Sequence, residues 1–153
     1  MSKYENAMKL MEERCGNGKE EVIALATISL SSNAAGTPRP AVRMVCAYYE
    51  DGVFYVSTDA KKNKILQIEK NNEVSVGGLG WYAFQGTAEN LGWVKDEKNA
   101  EIRAKFKKSS IGSLNFLQSV ATFISCVATM LRKQVFILFG DDDHKNLRYT
   151  RRL

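Results

Sequence analysis

Side chains that could bind an anion are concentrated in one part of this 153-residue sequence. Arg43 lies in the middle of a strongly apolar run, 40–49, and strand alternation places it on the same face as Val45. A charge on such a face needs a partner or water. In a simpler interpretation, which the spacing alone favours, Arg43 faces an edge and pairs with Glu50 or Asp51.

A second group follows in the stretch STDAKKNK, residues 57–64. Ser57 and Thr58 end a predicted strand, and Asp59 is the predicted N-cap of a helix over 60–70. Unpaired N–H groups at a helix start attract an anion, whereas lysines there oppose the helix dipole. The lysines on its first two turns would be Lys61, Lys62 and Lys64. The pattern predicts either a phosphate-sized anion site or a solvated, slightly unstable helix start.

The helices and strands that must position these residues are predicted to form an antiparallel barrel. Hairpins follow one another too closely for βαβ crossovers, which argues for a sheet that closes into one small barrel domain over 1–153. Apart from the helix over 60–70, the sequence predicts helices over 2–14 and 96–108 and a hairpin turn at Glu50-Asp51-Gly52. Strands are predicted over 21–30, 40–49, 53–58, 73–94, 134–139 and 147–152. The segment 73–94 forms one or two strands, because Gly77-Gly78 and Gly80 interrupt it.

In the helix over 60–70, Leu66 is expected to pack beside Ile65 or Ile68. The uncharged segment 109–131 is long enough to span a bilayer, but seven polar residues are scattered through it. We therefore expect a buried helix or a helix followed by a strand, and no membrane span. The role of this segment stays open.

The composition limits which partners the protein could bind and indicates the redox state of its compartment. The net charge of +5 is spread along the chain, which disfavours nucleic acid as a partner. Three cysteines without a CxxC pair make a disulfide framework or a zinc site improbable, and they fit a reducing cytoplasm. The acidic run Asp141–Asp143 with His144 reads as a hairpin turn and not as a metal site.

The stretch GTPRPAVRMVCAYYEDGVFYVSTDAKKNKILQIEKNNEVSV resembles the flavin-binding split-barrel proteins related to pyridoxamine 5′-phosphate oxidase. The order is a strand with P-x-x-R-x-V, a short turn, a strand ending F-Y-x-[ST], then a basic cluster and a helix ending L-x-x-N-x-x-V. The matching residues are Pro40, Arg43, Val45, Phe54, Tyr55, Ser57, Lys61, Lys62, Leu66 or Ile68, Asn71 or Asn72, and Val74.

This resemblance implies a homodimer with FMN in a groove between the subunits. It assigns the FMN phosphate to Arg43, Lys61 and Lys62, with Lys64 as a further candidate. Ser57 and Thr58 would then bind phosphate or ribityl oxygens.

The resemblance also suggests which residues meet the flavin ring. The strand backbone around Met44 and Val45 would face the edge of the isoalloxazine. Trp81 and Gln85 would line the ring, from the same or the partner subunit. For the adjacent Tyr82, core packing is the preferred interpretation.

Some positions depart from the oxidase. Tyr48 stands where that enzyme has a lysine, and its Arg-Lys pair is replaced by Lys61-Lys62. The oxidase's substrate-binding arginine and histidine have no convincing equivalent, since His144 is the only histidine. Oxidation of pyridoxamine phosphate itself is therefore not expected.

The sequence thus predicts a cytoplasmic FMN-binding flavoprotein, an oxidoreductase of unknown substrate. We name no catalytic residue. The first alternative is a protein of the same fold that stores or senses flavin, deazaflavin or haem without turnover. The second is a basic barrel that binds nucleic acid, for which Tyr48, Tyr55 and Trp81 would have to be exposed among the lysines.

Overall fold

The computed structural model describes residues 3–78, 80–108, 121–127 and 136–137. In chain order the elements are α1 (Lys3–Cys15), β1 (Glu20–Ser32), β2 (Pro38–Glu50), β3 (Val53–Asp59), α2 (Asn63–Lys70), β4 (Glu73–Gly78), β5 (Tyr82–Trp93), a 3-10 turn (Glu97–Asn99), α3 (Ala100–Lys108), β6 (Ala121–Val127) and β7 (Phe136–Ile137).

The described strands form a closed antiparallel ring. The order of pairing is β4-β1-β2-β3-β6-β5, and β5 pairs back to β4. The short strand β7 adds to the start of β5. The predicted mainly-β barrel with flanking helices is confirmed.

The turn between β2 and β3 has the predicted chemistry. Asp51 and Gly52 both have positive φ, 48° and 83°, as a tight hairpin turn requires. Pairing of β2 with β3 nevertheless stops at Tyr48, opposite Tyr55. Beyond that point β2 continues to pair with β1, and β3 pairs with β6 as far as Asp59. We call the gap between 38–47 of β2 and 56–59 of β3 the split.

Two helices cover opposite ends of the hydrophobic core. Helix α1 lies beside the β2–β3 turn, where Met8 approaches Gly52, and it buries Met11 and Cys15. Helix α2 packs on the far side and buries Ile65 and Ile68 in the same core cluster. The open end of the split therefore lies at the α2 end of the barrel.

Helix α3 covers the outside of the β2–β3 hairpin. Phe106 packs on Tyr48 in a second, smaller cluster with Val94. Lys105 anchors the helix to the hairpin, because its Nζ lies 2.6 Å from Glu50 Oε2.

The start of α2 differs from the prediction. The helix begins at Asn63, and Asp59 is not its N-cap. Instead, Asp59 Oδ1 accepts a hydrogen bond from the N–H of Lys61 (2.8 Å), and the Asp59 carbonyl accepts one from Lys62 N–H (3.1 Å). These bonds close a turn that delays the helix by one turn of chain. Lys61 and Lys62 consequently precede the helix, and Lys64 alone of the three lies on it.

The buried face of α2 also differs. Leu66 is 46% exposed and does not pack inward as expected, whereas the amide of Gln67 is buried at 6% exposure. The helical period places Gln67, between Ile65 and Ile68, toward the barrel.

The predicted break after the fourth strand falls later than expected. Gly77 and Gly78 are both part of β4, and Gly80, with a φ of 90°, lies between β4 and β5. The uncharged segment 109–131 contributes strand β6, and 134–139 contributes β7. The predicted strand over 147–152 and the run Asp141–His144 lie outside the described residues. Among the residues described, no helix has the length and apolarity needed to cross a bilayer.

Gly78 allows the close packing of Tyr82, so we predict that Gly78→Ala destabilises the protein by about 1–3 kcal/mol. A Cβ at position 78 would overlap the Tyr82 ring, which is buried among Phe54 and Phe84. Gly77→Ala is the matched control, because its Cβ would meet only the Tyr82 carbonyl at 3.7 Å. Urea unfolding of both variants measures the difference, and equal losses would contradict this packing.

Candidate anion-binding site

Arg43 points into the barrel. Its Nη1 donates to Thr27 Oγ1 at 2.6 Å, and its Nη2 donates to Gln67 Oε1 at 2.8 Å. Alternation along β2 is as predicted, with Arg43 on the inner side and Met44 exposed on the outer side. The simpler interpretation, a pairing with Glu50 or Asp51, is wrong, because Glu50 binds Lys105 and Arg43 is turned inward.

Thr27 and Gln67 close a triangle around the guanidinium. Both are buried, and Thr27 Oγ1 donates to Gln67 Oε1 at 2.6 Å. Every acceptor that Arg43 uses here is neutral. Its positive charge is therefore held by hydrogen bonds and is not cancelled.

Lys64 brings a second cation to the same place. Its Nζ donates to Thr58 Oγ1 at 2.9 Å, and Thr58 is buried on the inner side of β3. Burial lowers the pKa of Lys64, and the charges of Arg43 and Lys62 lower it further, while Asp59 opposes them. Burial also lowers the pKa of Arg43, but a guanidinium remains charged at neutral pH.

Arg43 and Lys64 thus form a half-buried pair of like charges at the open end of the split. Among the described side chains, neither makes an ion pair with a carboxylate. Placing two such cations together is unfavourable unless an anion neutralises them. Arg43 uses two donors on Thr27 and Gln67. Since an arginine has five N–H donors and a lysine three, both cations retain donors for an anion.

The other predicted phosphate ligands lie at the edge of this pair. Lys61 and Lys62 are exposed in the turn before α2, and the charge of Lys62 contributes to the lowered pKa of Lys64. Ser57 lies on the opposite face of β3 from Thr58. Within one chain the structure brings together Arg43, Thr58 and Lys64.

The backbone next to Arg43 is available at the split. Met44 and Val45 pair with Ala24 and Ile23 of β1, while their other side faces no strand among the described residues. Unpaired backbone N–H and C=O groups there can bind the polar edge of a flat ligand.

The predicted ring-lining residues are not near this pair within one chain. Trp81 lies under the guanidinium of Arg14 on α1, 4.9 Å from ring centroid to Cζ, and touches Tyr82. Gln85 is exposed on β5, opposite Ser75 of β4. That Trp81 and Gln85 line the flavin ring therefore remains a prediction, in which these residues would come from the partner subunit of a dimer.

The same packing bears on the nucleic-acid alternative. Tyr48 and Tyr55 pack under α3, and Trp81 packs against the main core. These aromatics do not form an exposed stacking surface. The described residues also contain no cluster of three or more potential metal ligands.

Sequence reasoning missed Thr27 and Gln67. A signal was present in each case: Thr27 continues the inward positions of Ile23 and Leu25 along β1, and Gln67 falls within the apolar stripe of α2. Polar residues at core positions need partners, and here each is a partner of Arg43.

We predict that inorganic phosphate stabilises the protein through Arg43. About 10 mM phosphate should raise the melting temperature by about 2–4 °C over chloride of equal ionic strength, because only the folded protein holds the cation pair together. Arg43→Met should remove most of this gain. Arg39→Met, an exposed arginine on the same strand, should keep it. An equal response in both variants, measured by differential scanning fluorimetry, would contradict the assignment.

Comparison with known proteins shows a shared fold at low sequence identity. No protein family model matches the sequence, and no curated protein matches it. Solved structures do match, at low identity. One is a putative pyridoxamine 5′-phosphate oxidase from Listeria innocua, with 17% identity, a TM-score of 0.57, and coverage of 88% of this chain and 96% of that chain.

Two others carry different names. The heme storage protein HutZ from Vibrio cholerae has 14% identity and a TM-score of 0.62, covering 87% of this chain and 93% of its own. An F420 reductase has 14% identity and a TM-score of 0.53, covering 77% and 92%. The resemblance seen in the sequence is confirmed at the level of structure: this chain has the split-barrel fold of the pyridoxamine 5′-phosphate oxidase-like proteins.

Proposed function

We propose that this protein binds FMN at the split, with Arg43 and Lys64 holding the phosphate. The observation that carries the proposal is the pair itself: two half-buried cations without a carboxylate partner among the described side chains. A phosphomonoester has a charge near −2 at neutral pH and three acceptor oxygens. Such a group matches the charge of the pair and takes the donors that Arg43 and Lys64 do not use within the chain.

The surrounding residues extend this assignment. The hydroxyl of Thr58 is hydrogen-bonded to Lys64 and would lie next to the phosphate. Lys61 and Lys62, exposed in the turn before α2, would add positive potential at the edge of the site. Ser57 remains a candidate for ribityl oxygens from the other face of β3.

The unpaired edge of β2 next to Arg43 is the place proposed for the ring. The backbone of Met44 and Val45 would bind the polar edge of the isoalloxazine. A bound flavin supplies the electron or hydride transfer, so the protein's own residues need only orient the ring and exclude water.

We further propose that two copies form a homodimer through the outer face of β1 and β2. This face is apolar and open to solvent: Val42 is 66% exposed, Met44 51% and Val22 44%. Cross-strand pairs continue the same surface, namely Val22 with Cys46, Ala24 with Met44, Ala26 with Val42, and Ile28 with Pro40. Apolar patches of this kind mark interaction sites, and a self-complementary one suits a twofold dimer. Because Met44 belongs to both this face and the split, a second copy would also wall the flavin groove.

The reaction class proposed is an FMN-dependent oxidoreductase of unknown substrate. The alternative is a non-catalytic protein that stores flavin, deazaflavin or haem; among the structural neighbours, one is named a heme storage protein and another an F420 reductase. Reduction of the bound flavin by a reduced nicotinamide, followed by reoxidation with an acceptor, would assign an enzyme. Binding without such turnover would assign storage or sensing.

We predict that Arg43→Met and Lys64→Met each weaken FMN binding about 10–100-fold, because each removes a charge-assisted hydrogen bond to the phosphate. Riboflavin, which has no phosphate, should lose little affinity. Lys61→Met is the matched control and should have a small effect, since Lys61 is exposed and lies before α2. Flavin fluorescence titrations measure all three, and equal losses for FMN and riboflavin would remove this account of the cation pair.

We predict that Val42→Glu weakens the dimer at least about tenfold, because it buries an unpaired charge in the apolar interface. Leu66→Glu, an equally drastic change at an exposed apolar residue of α2, should leave the dimer intact. Sedimentation equilibrium measures both. A wild type that stays monomeric at micromolar concentration would refute the proposed homodimer.

A further inference from the structure

Gln67 and Thr27 do more than fill the core at the α2 end of the barrel. We infer that Gln67, assisted by Thr27, is a positioning residue whose neutral amide oxygen holds the guanidinium of Arg43 in the phosphate site without cancelling its charge. This inference rests on the proposed binding of FMN and deepens it, since it concerns how the same site favours a phosphorylated flavin.

The hydrogen-bond geometry sets the orientation of both groups. Gln67 Oε1 accepts from Arg43 Nη2 at 2.8 Å and from Thr27 Oγ1 at 2.6 Å. Thr27 Oγ1 in turn accepts from Arg43 Nη1 at 2.6 Å. Because both terminal nitrogens of the guanidinium are engaged, its plane is fixed and the remaining donors have defined directions.

The chemical type of the acceptor matters as much as its place. A glutamate has nearly the shape of a glutamine, and at position 67 it would form a charge-assisted pair with Arg43. That pair would neutralise the arginine inside the barrel. The neutral amide keeps the full charge of Arg43 for a ligand.

Helix α2 links this acceptor to the second cation. Gln67 follows Lys64 by three residues, so the two lie on neighbouring positions of one helical face. Gln67 bonds Arg43, and Lys64 bonds Thr58 of β3. One rigid helix therefore determines how far apart the two cations stand.

The test is the phosphate preference, defined as the Kd of riboflavin divided by the Kd of FMN. Gln67→Glu should lower this ratio by about tenfold or more by neutralising Arg43. Gln67→Met, which keeps the volume and removes the acceptor, should lower it severalfold, and so should Thr27→Val. Lys70→Gln is the matched control: it makes the same change in net charge on the exposed side of α2 and should leave the ratio unchanged.

The readout separates positioning from a structural role. A residue that only supported the core would weaken riboflavin and FMN together and leave their ratio unchanged. The riboflavin affinity of each folded variant therefore serves as an internal standard. Should Gln67→Glu fail to fold, Gln67→Met and Thr27→Val decide the question, because both keep the packing volume nearly constant.

The outcomes distinguish this inference from the proposed function. If the wild type prefers FMN and the three variants at Gln67 and Thr27 keep that preference, only the positioning role is overturned. If the wild type shows no preference for FMN, the phosphate site itself is wrong, and the inference falls with it. A lower ratio in the variants at Gln67 and Thr27, with the ratio of Lys70→Gln unchanged, supports the positioning role of Gln67.

Discussion

A charged arginine on the inner face of a small apolar barrel is costly, and much of the α2 end can be understood from that constraint. Arg43 makes no ion pair with a carboxylate among the described side chains, and buried neutral groups on β1 and α2 satisfy part of its hydrogen bonding. Lys64 then adds a second positive charge beside it, which raises the cost further. In the proposed function an anion completes this site, and the unliganded protein gives up some stability in exchange for binding it.

The split provides the space that this anion and its attached group would need. Had β2 and β3 paired along their full length, Arg43 and Thr58 would face a continuous sheet and a closed interior. The strands separate after Tyr48, while α3 packs over the outside of the hairpin and holds its paired part together. The neighbouring outer face of β1 and β2 stays apolar and uncovered within one chain. Groove and apolar face therefore meet along the same strand, β2.

The structural neighbours share this framework and differ in what their names say they bind or do. A fold that serves several cofactors does not select among them, so selection has to come from side chains at the site. In this chain, the side chains proposed to make that selection are the cation pair and the neutral amide of Gln67, which is hydrogen-bonded to Arg43. Those residues, and not the barrel, carry the argument for a phosphorylated flavin.

Local sequence patterns determined most of the framework. Alternation in 40–49 placed Arg43 on the inner face, Asp51-Gly52 specified the tight turn, and the apolar runs specified five of the strands near their observed positions, because each depends on neighbours along the chain. The resemblance named the right fold. Alternation in VFYVST also contained the information that Ser57 and Thr58 face opposite ways.

Tertiary structure decided which residues of the candidate site come together. The turn at Asp59 delays the helix, so that Lys64 reaches the position beside Arg43 while Lys61 stays exposed. Gln67 is turned inward and Leu66 outward because α2 buries Ile65 and Ile68 against the barrel. The buried amide meets Arg43 only once β1, β2 and α2 are packed together. Along the split, β3 keeps its place in the sheet by pairing with the distant β6, a contact between segments more than sixty residues apart in sequence. Contacts of that kind depend on the closed barrel, and local patterns along the chain do not encode them.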